Sequence, residues 1–349
     1  MTEWNPKERL IRVLEKEEVD RPPVICPGGM MNAAIVEVME RSGCTLPEAH
    51  SDAEKMANLA LAVAEYTGFE NLGIPFCLTA EAEVLGSEVT LGNLSCEPKI
   101  TKEIFGRCSD VETRDIKPLL GEGRIPAIVG AARILADRFP ETPVIGNLTG
   151  PISTAASLVD PMNFFKDMRR DKESAHRVLE YVSDFLIAFA KAQVAAGATL
   201  ISIADPTATG EILGPKMFAE YAVPYLNRLI DGIHETGAPV ILHICGRLSS
   251  VDAQLPGMHS EAISTDALVN LKKLKRDYPT LTTMGNVSTY LLEFQPPEQA
   301  ARSARSLVDD GTDIIAPACG LSTSTKLASI QAMTGAVRER TQEVYSMVL

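Results

Sequence analysis

A histidine and a cysteine stand two residues apart at the end of the apolar run Pro239-Val240-Ile241-Leu242-His243-Ile244-Cys245-Gly246. Read as a strand, alternation puts both side chains on one face, ~6.5 Å apart at ~3.3 Å rise per residue. An imidazole and a thiolate so spaced can reach one metal ion. A lone H-x-C is equally the pattern of a buried strand with a core histidine and a packed cysteine, so the pair needs support from elsewhere. Cys319 closes another apolar run, Asp313-Ile314-Ile315-Ala316-Pro317-Ala318-Cys319-Gly320. A His/Cys/Cys set has the borderline-soft character that suits Zn²⁺, and three protein ligands leave a fourth tetrahedral position open, as in catalytic sites. A structural zinc would want four ligands in close local pairs, and the chain contains no C-x-x-C. Zinc holding two thiolates carries no net positive charge, so it is a poor activator of water. It is better suited to binding an incoming thiol and keeping it as a thiolate. The reaction class implied is alkyl transfer to sulfur.

These residues need a scaffold that brings distant strand ends together. Eight short apolar runs are separated by helix-like stretches. They are residues 21–29, 70–75, 143–150, 200–206, 239–246, 262–266, 282–287 and 313–320. That count and rhythm predict a single-domain (β/α)8 TIM barrel, since near-continuous apolar strands are what a fully covered parallel sheet requires. A doubly wound open sheet is the other option, but no G-x-G-x-x-G opens a helix after the first run. An N-terminal helix is expected from Pro6 to Lys16, with Asn5 as N-cap, and helical patterning over 32–41 and 53–68. The long gap over 76–142 reads as an insertion, with Glu83–Thr90 suited to a hairpin. Barrel enzymes place their chemistry at the C-terminal strand ends. There stand His243, Cys245, Asp266, Cys319, Asn147, Asp205 and Asn286. Asp266 reads either as a fourth ligand or as a helix cap. Asn147, Asp205 and Asn286 are expected to line the site, and Gly28 and Gly29 to let backbone approach a ligand closely. Glu81, Glu83, Cys26 and Cys77 are weaker lining candidates, and the other cysteines are read as packing.

The 349 residues are 45% hydrophobic and 23% charged, as in an ordinary soluble globular protein. The net charge of −13 argues against a nucleic-acid partner, which would need a clustered basic footprint. The first residues lack the apolar core of a signal peptide, and the most apolar segment, 185–204, reads as a buried helix plus strand and not a membrane span. Seven scattered cysteines make no small disulfide framework, so a reducing cytoplasm is expected. A homodimer is compatible with this composition.

The spacing His243-x-Cys245-x₇₃-Cys319 resembles the zinc motif of the methylcobamide:coenzyme M methyltransferases, barrel enzymes related to uroporphyrinogen decarboxylase. Val19-Asp20-Arg21-Pro22-Pro23, Thr67-Gly68-Phe69-Glu70, Glu81-Ala82-Glu83-Val84-Leu85-Gly86 and Met284-Gly285-Asn286-Val287 extend the likeness over nearly the whole chain. The resemblance implies His243, Cys245 and Cys319 as zinc ligands. It also implies Asp266, where relatives carry an acidic residue about 23 positions after the histidine, as a labile fourth, here one methylene shorter than the expected Glu. It further implies that a zinc-held thiol, coenzyme M or similar, takes the methyl group of a methylcob(III)amide. The corrinoid would come on a separate protein docked over the mouth, because the D-x-H-x-x-G corrinoid motif is missing; Asp231 stands one place too early before His234. Uroporphyrinogen decarboxylase itself is disfavoured, since residues 26–32 hold no arginine to clamp substrate carboxylates. Two further readings are a demethylase running the transfer from a methylated substrate to a corrinoid protein and a metal-free scaffold for such a protein.

Overall fold

The structure, a computed structural model, describes residues 3–348, with side chains described through residue 339. Seven strands form one sheet whose order is the chain order: β1 (Leu72–Ile74), β2 (Val144–Thr149), β3 (Leu200–Ala204), β4 (Val240–Ile244), β5 (Ala262–Thr265), β6 (Thr282–Val287) and β7 (Ile314–Pro317). All neighbours run parallel. Residues 23–26 fill the eighth position as an isolated bridge, because Pro22, Pro23 and Pro27 have no N–H to give to a ladder. Ile25 N–H donates to the Ile315 carbonyl and Ile315 N–H to that of Pro23, each at 2.9 Å. On the other edge Glu70 N–H donates to the Val24 carbonyl, and the Asn71 side-chain amide exchanges two 2.9 Å bonds with the Cys26 backbone. The sheet is thereby closed into the expected (β/α)8 barrel.

Helix α1 (Pro6–Leu14) plugs the N-terminal end, started by an Asn5/Glu8 capping box with Pro6 in its first turn. Its Leu10, Val13 and Leu14 pack into the barrel interior with Ile25, Ile145, Leu200, Ile241, Met284 and Ile314. The outer layer includes α2 (Ala53–Thr67), α3 (Ile125–Arg138), α4 (Pro151–Leu158), α5 (Lys172–Ala195), α6 (Val223–His234), α7 (Leu271–Asp277), α8 (Pro297–Asp309) and α9 (Leu327–Val348). Between β4 and β5 the helical layer is reduced to a 3₁₀ turn, Asp252–Gly257. Strand alternation holds: Ile241 faces the interior, whereas Val240, Leu242 and Ile244 pack in the outer core.

Two local expectations change. The hairpin is formed by Glu88–Thr90 with Lys99–Lys102; the preceding Ala80–Leu85 is a helix, made of strong helix formers and ended at Gly86 with φ +118°. Of the helix expected over 32–41, only the part from Val36 forms, running to Ser42, while Asn32 bridges the Gly29 and Phe76 carbonyls.

The closure rests on a buried carboxylate. Glu70 accepts from Arg9 at 3.1 Å, from Arg21 at 2.8 Å and from the Val24 N–H at 3.0 Å. Burial alone would raise its pKa; Arg21, the Val24 N–H and Arg9 outweigh burial and hold it below the ordinary value. Glu70→Ala, which leaves Arg21 without its carboxylate partner while Arg9 keeps Asp20, is expected to lower the unfolding free energy by about 3–5 kcal/mol in urea titrations. Since the folded-state pKa is depressed, the Glu70 contribution should be complete above pH 4.5 and lost as pH falls through the folded value.

Candidate metal centre

The β3–β4 and β4–β5 registers set Ala204 and Ser264 on either side of His243. His243 and Cys245 share the inward parity of Ile241, and Gly246, at φ +72°, turns the chain away immediately afterwards. That positive φ is what favours glycine there; a Cβ would also meet the end of the exposed Glu211 side chain, which can swing away. Cys319 arrives from the end of β7, its segment held by the Ala318 N–H donating to the Val287 carbonyl at 2.8 Å.

Among the described residues, one group of metal-ligating atoms gathers within 4.8 Å of one another: those of His243, Cys245 and Cys319. His243 Nε2 lies 3.1 Å from Cys245 Sγ, and the two sulfurs are 3.8 Å apart. Two thiolates bound tetrahedrally to one zinc at ~2.3 Å stand ~3.8 Å apart, so the donor set and its sulfur separation fit that ion. His243 is fully buried, while both cysteines are half-buried; the sulfurs face the more open side. The two sulfurs are close enough to hydrogen-bond to each other. The hydrogen bond from Cys245 lowers the Cys319 pKa, helped by His243 and the Gly320 N–H against the effect of burial. The same bond, together with burial and the nearby charges of Cys319 and Asp266, raises that of Cys245.

Other residues singled out in the sequence have different occupations. Asp266 is half-buried, and its Oδ1 accepts the Leu268 N–H at 3.0 Å. Its carboxylate is not one of the gathered donors. Asn286 holds that same turn, its side-chain N–H groups donating to the carbonyls of Asp266 and Val269 at 2.8 Å. Asp205 does not line the mouth. It shares the parity of Ile201 and Ile203, is fully buried against the helices, and accepts from the Ile152 and Ser153 N–H groups and the Ser153 hydroxyl. It thus caps α4. Asn147 is buried, with its side-chain N–H groups directed at the Pro27 and Ile74 carbonyls, both at 2.8 Å. Gly28 and Gly29, at φ +106° and +58°, are required by the protein's own packing: a Cβ on either would lie within 3 Å of the Asn147 side chain.

The weaker lining candidates form a braced wall. Cys26 donates to the Met31 carbonyl at 2.7 Å, and burial pushes its pKa up. Arg124, which sequence reasoning missed, donates to Glu83 at 2.6 Å, Thr79 at 2.8 Å and Cys77 Sγ at 3.1 Å. Glu81 accepts from the Thr149 N–H and hydroxyl at the end of β2. Ser264 was also missed. Its hydroxyl stands 2.9 Å from His243 Nδ1, and its position two residues before Asp266, on the same face, was the available signal.

The description of the uroporphyrinogen decarboxylase (URO-D) family matches residues 5–340. Methylcobamide:CoM methyltransferase MtbA of Methanosarcina acetivorans is 36% identical over 336 residues, covering 95% of this chain and 97% of the relative. Methylcobamide:CoM methyltransferase MtaA of Methanosarcina barkeri is 31% identical over 344 residues, covering 96% and 98%. A solved methyltransferase from Methanosarcina mazei superposes with a TM-score of 0.90 at 30% identity, covering 98% of this chain and all of the other.

This wall carries a pH-dependent term. Burial pushes Glu81 up to about 7 from an ordinary 4.5, against the bonds from Thr149. The folded protein therefore holds this proton more tightly than the unfolded chain. Its stabilising effect should be full below pH 4.5 and lost as pH rises toward about 7, an effect of about 3 kcal/mol. Urea unfolding of the wild type and Glu81→Gln between pH 4 and 8 (roughly the span of that titration) should show the variant gaining relative stability as pH rises. A pH-invariant difference would contradict the assignment.

Proposed function

Because the chain belongs to the uroporphyrinogen decarboxylase family and, within it, to the methylcobamide:CoM methyltransferases, we propose that it moves a methyl group from a methylcob(III)amide on a separate corrinoid protein to a small thiol. Coenzyme M or a close analogue is the acceptor in this reading. The observation that carries it is the meeting of His243, Cys245 and Cys319 donor atoms within 4.8 Å, at the C-terminal strand ends.

In this reading those three residues hold zinc. Bound there, zinc would supply a centre of no net charge that lowers the pKa of the acceptor thiol without quenching its nucleophilicity. The acceptor sulfur forms a bond to the methyl carbon as the cobalt–carbon bond breaks. The electron pair of that bond stays with cobalt, giving a methyl thioether and cob(I)amide, and the thiol proton leaves to solvent. Cys245 and Cys319 would bind the metal as thiolates, losing their protons on binding. Asp266 would be the labile fourth ligand; to serve, its carboxylate would have to release the Leu268 N–H.

The corrinoid protein must cover this end of the barrel for its methyl group to reach the acceptor sulfur. Exposed Leu268, Tyr290 and Phe294 support a docking role, since they lie on segments that follow β5 and β6 at this end, and the Tyr290 and Phe294 rings pack 4.9 Å apart. The lack of any arginine in residues 26–32 speaks against a porphyrinogen substrate. We place the whole chain, as one domain, in a reducing cytoplasm: all seven cysteines are free, and no helix among the described residues is long and apolar enough to cross a membrane.

Cys245→Ala and Cys319→Ala are each expected to lose zinc, measured by elemental analysis, and to drop methylcobalamin:thiol methyl transfer, followed by corrinoid absorbance, by on the order of 10² or more. Full activity in either variant would sink the proposed centre.

A further inference from the structure

His243 presents Nε2 to the two sulfurs, and its other nitrogen meets a hydroxyl. The β4–β5 register places Ser264 directly beside it, with Oγ 2.9 Å from Nδ1. Both residues are fully buried. On its far side the same hydroxyl faces Met31 Sδ at 3.8 Å.

We propose that Ser264 and Met31 are positioning residues that keep the His243 proton on Nδ1, so that Nε2 presents a lone pair to the metal. The proposal rests on the reading of His243 as a ligand. A hydroxyl can donate or accept, and its second partner decides which. A thioether has no hydrogen and can only accept. With the Ser264 hydrogen on Met31, the oxygen offers lone pairs to the imidazole, and Nδ1 must carry the proton. If the hydroxyl turned to donate to Nδ1, the proton would move to Nε2, where it blocks metal binding.

Met31 is itself held from several directions. Its backbone pairs with Gly28 in both directions, at 2.9 and 3.1 Å, and its carbonyl also accepts the Cys26 thiol. The positive φ angles of Gly28 and Gly29, packed against Asn147, make that turn possible. Met31 is 2% exposed and belongs to the barrel-interior cluster. The loop after residues 23–26 thus reaches across the lumen to orient a ligand on β4. The partner it supplies is neutral, whereas a carboxylate in the Ser264 place would add negative charge to a centre that already holds two thiolates.

The test pairs metal affinity with a direct reading of the proton. Zinc affinity, by competition with a chromophoric chelator, should fall about 10–100-fold in Ser264→Ala. It should fall several-fold in Met31→Leu, which keeps the volume and removes the sulfur, and stay near wild type in Ser264→Thr, which keeps the hydroxyl. The tautomer is read by imidazole ¹⁵N shifts in a Cys245→Ala/Cys319→Ala background, where no thiolate competes for Nε2. Nδ1–H should dominate there, and adding Met31→Leu should raise the Nε2–H fraction. The proposal is overturned if Nε2–H dominates in the cysteine-free background, or if Ser264→Ala and Met31→Leu bind zinc as tightly as wild type. Should Ser264→Ala fail to fold, Met31→Leu decides. A purely structural serine would lower stability and leave both readouts unmoved. If wild-type protein binds no zinc, the functional reading fails, while the tautomer measurement still decides this one.

Discussion

Closure of the parallel sheet through residues 23–26 is the constraint on which the rest depends. A barrel brings the C-terminal ends of well-separated strands to one place; an open sheet would spread them along an edge. His243 and Cys319 come from strands three positions apart in the sheet, and only a closed lumen lets them meet with Met31 from the first segment. That segment is rich in proline and cannot run a full ladder. The closure therefore leans on side chains: Asn71 imitates a strand partner for Cys26, and Glu70 ties Val24 to two arginines. The ends of the barrel are divided by chemistry, with apolar residues of α1 and the Glu70 ion cluster at one and thiols at the other.

Most polar residues near the mouth serve the scaffold. Asn147 and Asn286 spend their amides on loop carbonyls, Asp205 caps a helix, and Arg124 braces Glu83, Thr79 and Cys77. Backbone groups leaving strand ends must find partners once water is excluded, and loops that converge on one lumen leave many such groups in need. Against that background, the three metal-ligating atoms stand out because they gather within 4.8 Å of one another.

The layering around the histidine follows the same economy of position. Ser264 and Asp266 lie on one face of one segment, two residues apart, and do different things: the first meets Nδ1 of His243, the second is drawn into its own turn by the Leu268 N–H. Asn286 reinforces that turn from the neighbouring strand. The Asp266 carboxylate is therefore held by a single turn hydrogen bond.

The amino-acid sequence by itself determined the strand rhythm, the shared face of His243 and Cys245, and the His/Cys/Cys donor set, because these follow from a two-residue period and from side-chain chemistry. It also drew attention to Gly28 and Gly29, though as places where backbone approaches a ligand. Only the tertiary structure decided that Asp205 looks toward the helices, one step of parity away from the mouth, and that the two glycines make room for Asn147. The helix at Ala80–Leu85 and the bridge in place of a first strand were likewise settled by packing and by available N–H groups. Met31 and Arg124 could not be found from spacing, and the two-residue step from Asp266 hinted at Ser264 without naming its partner. Their partners are far away in the chain, and a hydrogen-bond partner is chosen by register and closure, which local pattern does not contain.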